Sequence, residues 1–73
     1  MRLREFRRAV EAEFGDRAPT LTADLVLGAL GGRTPDEALA AGIAADEVWA
    51  ALCAATDVPA ARRHGVGLAE PRP

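Results

Sequence analysis

Cys53 and His64 are the one thiol and the one imidazole in this chain, the residue types of a nucleophile and its general base. Such a pair works only when the two side chains meet within hydrogen-bond reach and a third group orients the base. No serine is present to take the nucleophile's part. Cys53 follows Leu52 on an apolar helix side, where an unpaired cysteine behaves as a small buried hydrophobe. His64 lies in a basic, glycine-flanked stretch without a positioned nucleophile. The favoured reading is a packed cysteine and a solvated histidine, with no catalytic residue, no cofactor and no metal site in the chain.

The segment Gly31-Gly32-Arg33-Thr34-Pro35-Asp36-Glu37 offers a second chemistry. A glycine turn leading into a helix N-terminus can hold phosphate, and a short glycine turn between helices also suits a helix-turn-helix. The Lys-Ser/Thr of a phosphate-binding P-loop is missing. Asp36 and Glu37 stand at the positive helix end, where they repel phosphate and would face DNA with side chains unsuited to reading base edges. The same residues make a complete helix start: Thr34 as N-cap, Pro35 at the first helical position, and Glu37 three residues on to close a capping box. The capping reading is preferred.

Arginines supply the third. Residues 1–8 carry a net +3, residues 9–61 a net −7 and residues 62–73 a net +2, so only the ends could form a basic patch. Were the termini to meet, as they often do, Arg4, Arg7, Arg8, Arg62 and Arg63 would give either a weak, salt-sensitive nucleic-acid contact or a docking face for an acidic protein patch, against the favoured plainer reading of a solvated helix face and a solubilising tail. Trp49 could join such a face as an anchor, although a small core has a strong claim on its large apolar area.

These residues must be positioned by a short chain. Seventy-three residues make a single domain near the lower limit for independent folding, where one core contributes about 3–5 kcal/mol. All nine basic residues are arginine, alanine occurs seventeen times, and lysine, serine, asparagine, glutamine and tyrosine are absent; the composition favours helix. Leu3, Phe6, Val10 and Phe14 share a stripe and predict a first helix over Leu3–Phe14, ended by Gly15. Asp16 to Pro19 reads as a loop. A second helix begins at Thr20 or Thr22, either able to cap it, and runs to Leu30 as the most buried element, with Gly28 marking a close helix crossing. A third, short helix spans Pro35–Ala41, ended by Gly42 with Ile43 as the apolar contact of a Schellman motif. A fourth covers Ala45–Thr56. Asp57 caps a possible last turn over Pro59–Arg63, and residues 64–73 read as a flexible tail after a helical domain over 1–63. The expected fold is an all-α bundle of about four helices, with Leu3, Phe6, Val10, Phe14, Leu21, Leu25, Leu30, Leu39, Val48 and Leu52 as its core. No apolar run approaches the roughly 18 residues needed to span a bilayer, and with no signal-peptide h-region and one cysteine the cytoplasm is the expected location.

The order of these motifs resembles a family. The opening MRLREF, the central LGALGGRTPDEALAAG, the segment EVWAALCAATDVP and the closing ARRHG are similar to the DUF3046 family of small, uncharacterised actinobacterial proteins, over residues 1–64. The chain departs from that pattern in having Arg7 where an aromatic residue is common, Ala44-Ala45 where Asp-Pro opens the fourth helix, and Thr56 where a larger apolar residue sits. The resemblance implies a compact helical protein encoded near genes of DNA recombination. Together with the residues, it suggests a non-enzymatic protein-interaction or regulatory accessory with a protein partner; the alternative is a weak nucleic-acid binder acting through its terminal arginines. Oligomeric state is left open.

Overall fold

Four α-helices follow one another in the computed structural model, which describes residues 1–62: α1 (Leu3–Phe14), α2 (Ala18–Asp24), α3 (Pro35–Ala40) and α4 (Ala45–Ala55), with 3-10 turns at Gly15–Arg17, Gly28–Leu30 and Ala60–Arg62. Arg63, His64 and the expected tail over 64–73 lie outside the described residues.

The fold is all-α, and α1 occupies the expected span. Its apolar stripe buries Phe6, Ala9 and Val10. Arg2 opens it by donating its backbone N–H to the Glu5 carboxylate at 2.7 Å. Leu3 was expected in the core but is 52% exposed. It lies in the first turn, where Met1 packs against the core instead and the N-terminal ammonium pairs with Asp46 at the start of α4. Gly15 takes φ +58°, yet no loop follows: the chain passes through a 3-10 turn directly into α2.

The second element differs most from expectation. It starts at Ala18, so neither Thr20 nor Thr22 caps it. Buried Thr22 instead donates its hydroxyl to the carbonyls of Ala18 at 3.1 Å and Pro19 at 3.2 Å. It also stops at Asp24 rather than Leu30. Leu25 and Leu27 are extended at the backbone, and Leu27 pairs with Arg33 in an isolated antiparallel bridge, its N–H donating to the Arg33 carbonyl at 2.9 Å. The Leu27 carbonyl accepts from Leu30 and Gly32 at 3.0 and 3.1 Å. Left-handed Gly31 and Gly32, at φ +70° and +79°, turn the chain back to make this closure, a conformation glycine reaches at no steric cost. The loop buries Leu27 and Leu30 while Val26 faces out. Gly28 marks no crossing, since a Cβ built there meets nothing within 4 Å.

Local signals settle α3 and α4. Thr34 accepts the Glu37 N–H at 3.1 Å and gives its own N–H to the Glu37 carboxylate at 2.9 Å, a reciprocal capping box. At the far end, Ile43 donates to Ala38 and Gly42 to Leu39 at 3.0 and 3.1 Å, the two bonds of a Schellman motif. The same device ends α4. Asp57, rather than capping the next turn, adopts φ +59°, and buried Val58 donates to Cys53 at 3.0 Å.

The core lies where α1 crosses α4. The Phe6 and Trp49 rings meet edge to face, centroids 6.4 Å apart at 88°, the arrangement that aromatic quadrupoles favour. Val10, Val48, Leu52 and Cys53 close around them, and Ala9, Ala18, Ala38 and Ala45 allow helices to approach. Pro35 is fully buried. Phe14, Leu25 and Leu39 only border this cluster, and Leu27, Trp49 and Val58 take core places that the expected list omitted.

Thr34→Ala removes one partner of the capping box while leaving Pro35 in place. It is expected to lower stability by about 1 kcal/mol, read as a reduced denaturant midpoint at unchanged m-value. Any binding activity should survive wherever the variant stays folded.

Candidate interaction surface

The residues singled out for chemistry meet different fates. Cys53 is 0% exposed, so it has no access to a substrate in the folded chain; His64 lies outside the described residues. The glycine segment is occupied by its own structure. Thr34 takes the N–H at the third helical position, and the Asp36 carboxylate meets Arg7 on α1. The tight turn of a helix-turn-helix is absent too, because the extended stretch and 3-10 turn over residues 25–34 separate α2 from α3. Among the described residues, no group of three or more His, Cys, Asp or Glu side chains is placed to hold a metal ion, and no helix is long and apolar enough to cross a membrane.

Trp49, considered as a partner-facing anchor, is 5% exposed and packs on Phe6. The reason is geometric: α4 buries Ala45, Val48, Trp49, Leu52 and Cys53 together, a broader face than the Val48–Leu52 stripe alone. It belongs to the core, not to an interface of the folded monomer.

The arginines do not form one patch. Arg4 and Arg8 are exposed, one turn apart on the outer side of α1, beside exposed Arg7. Arg7 donates Nη1 to Asp36 Oδ1 at 3.0 Å and holds its guanidinium carbon 5.8 Å from the Phe6 ring centroid. Arg62 donates Nη2 to Glu13 Oε2 at 2.8 Å. Glu13 is near the C-terminal end of α1, and nine residues of helix, about 13 Å, separate it from Arg4. The Ala60–Arg62 turn thus meets α1 through Arg62, at the end away from Arg4. Arg63 lies outside the described residues.

Between α1, α2 and α3 lies a cleft of about 280 Å³, lined by Arg7, Val10, Glu11, Ala18, Pro19, Thr22 and Asp36. Of these, sequence reasoning offered only Arg7 as a contact residue. The Arg7–Asp36 pair joins residues 29 apart in the chain, and no local pattern signals it; the small residues Ala18 and Thr22, spaced four apart, are the only trace of the cleft floor. Arg7–Asp36 is half-exposed on both sides and Arg62 is exposed beside a more buried Glu13, so each pair contributes under about 1 kcal/mol and organises the surface more than it holds the fold.

The model of a family described as a protein of unknown function, DUF3046, matches residues 1–61, and the chain belongs to that family. No curated protein and no solved structure matches the chain.

Proposed function

We propose that this member of the DUF3046 family is a non-enzymatic interaction module of the cytoplasm that docks an acidic protein surface on the outer face of α1. One observation carries the reading: Arg4 and Arg8 stand one turn apart on the exposed side of α1. Arginine forks suit carboxylates. Burial of Cys53 and the self-satisfied capping box support a non-catalytic role. The recombination setting suggested by the family resemblance makes proteins of that process the first partners to try.

The second reading, weak nucleic-acid binding, is less well supported. A phosphate track needs several cations along one face, and here Asp36 and Glu13 each hold one of the arginines such a track would use.

Capture from native lysate with R4E/R8E as the paired control tests both. A partner bound by the wild type should persist after nuclease treatment and weaken as salt rises. It should fall more than about tenfold in affinity for R4E/R8E, with helical content unchanged. A partner indifferent to the reversal defeats the proposal. Loss of capture on nuclease treatment, with a low-salt gel shift removed by Ala at Arg4, Arg8, Arg62 and Arg63, establishes the second reading instead.

A further inference from the structure

The cleft beside α1 has the opposite chemistry to that arginine-bearing face. Val10, Ala18 and Thr22 form its buried floor, with Pro19 at the lip. Thr22 spends its hydroxyl on the carbonyls of Ala18 and Pro19, so the floor makes no polar demand on an occupant. The rim carries two carboxylates, Glu11 and Asp36, against one cation, Arg7. Asp36 is bound to Arg7 through Oδ1 alone, and the Glu11 carboxylate has no partner among the described residues.

We infer that the cleft receives a lysine or arginine side chain from a protein partner, its aliphatic stem on the Val10–Ala18–Thr22 floor and its charged head between Glu11 and Asp36. Long cationic side chains bury their stems along apolar surface and keep their heads at polar rims, which is the division this cleft presents. Its volume is just below the range of pockets for whole organic ligands, so one long side chain is the better match. A carboxylate ligand, which Arg7 alone would invite, meets two acids for one cation. This site adjoins the outer face of α1, with Glu11 one turn beyond Arg8, but its floor and Asp36 lie outside that face, and neither reading depends on the other.

The test is a titration of the ¹⁵N-labelled full chain with a blocked pentapeptide carrying a central arginine between leucines, against the same peptide with a central glutamate. The arginine peptide is expected to shift the amide resonances of Glu11, Ala18, Thr22 and Asp36, and the glutamate peptide to leave them in place. Glu11→Gln should weaken the arginine peptide about three- to fivefold, and Pro19→Glu, which adds a carboxylate at the lip, should tighten it by a similar factor. R4E/R8E should leave these shifts in place, so failure of the outer-face reading and failure of this one are seen separately. The inference is overturned if both peptides act alike, if no cleft residue moves, or if shifts are confined to Arg4 and Arg8. It is also overturned if Glu11→Gln without peptide moves the resonances of residues 63–73, because the chain's own terminal segment then fills the cleft.

Discussion

Trp49→Ala is expected to leave the chain largely unfolded at room temperature. The side chain is 5% exposed and edge-on to Phe6 at the α1–α4 crossing, so truncation opens a void where the two longest helices meet. Deleting a buried tryptophan costs about 3–5 kcal/mol, and a core of this size supplies about the same in total. No disulfide compensates, because Cys53 is the only cysteine. Trp49→Phe keeps an aromatic ring against Phe6 and should remain folded with a lowered midpoint. Far-UV circular dichroism separates the two variants. In the wild type, the lone tryptophan reports directly, with blue-shifted emission that moves red on unfolding. A docking anchor behaves otherwise, since its loss removes binding and spares the helix signal. Native-like helicity in Trp49→Ala therefore means that the tryptophan does not hold the core.

What could be read from the residues was what short-range physics decides. The Leu3–Phe14 stripe sets the bounds of α1, the Thr34–Glu37 box starts α3, and Gly42 with Ile43 ends it, because caps and stripes act within a few residues of the groups they satisfy. The α2 region failed for a matching reason. Leu25-Val26-Leu27 is an unbroken apolar run, which periodicity cannot assign to helix or extended chain. The choice falls to a backbone bond between Leu27 and Arg33 and to two left-handed glycines, whose closure onto Leu27 no local pattern signals. Leu3 fits the stripe yet stays exposed, since a stripe says which side of a helix faces inward and not how far along it the neighbours reach.

The surface was less legible than the core. Arg7 and Arg62 were recognised as candidate contacts, but their partners Asp36 and Glu13 lie 29 and 49 residues away, and only the folded chain brings them together. Those two pairs changed the meaning of the basic ends. A charge count suggested one patch formed by both termini, whereas the structure sets Arg62 against Glu13 at one end of α1 and Arg4 near the other. The cleft was invisible for the same reason, being made by three unremarkable side chains of α1, three of α2 and one of α3.

Leu27→Ala is expected to cost about 2–5 kcal/mol, and Leu3→Ala under about 0.5 kcal/mol, reversing the ranking that helical periodicity suggests. Leu27 is 3% exposed and packs in the cluster with Leu30, next to α4; Leu3 is 52% exposed. The loss at Leu27 should spread beyond its own contacts. Its side chain anchors the loop whose backbone bonds run from Leu27 to Arg33 and from Gly32 back to Leu27, and that loop delivers Thr34 to the start of α3. Hydrogen exchange offers a second reading of the same claim. The Leu27 and Gly32 amides should be protected in the wild type and exchange early in Leu27→Ala, before those of α1. If α2 instead continued as a helix to Leu30, the Val26, Gly28 and Ala29 amides would bond to the Thr22, Asp24 and Leu25 carbonyls and be protected, whereas here they make no backbone hydrogen bond and should exchange fast. Chemical denaturation of the two alanine variants, with exchange at the Val26, Gly28 and Ala29 amides, thus decides between a hairpin-like turn and a longer helix in the one region where local sequence does not.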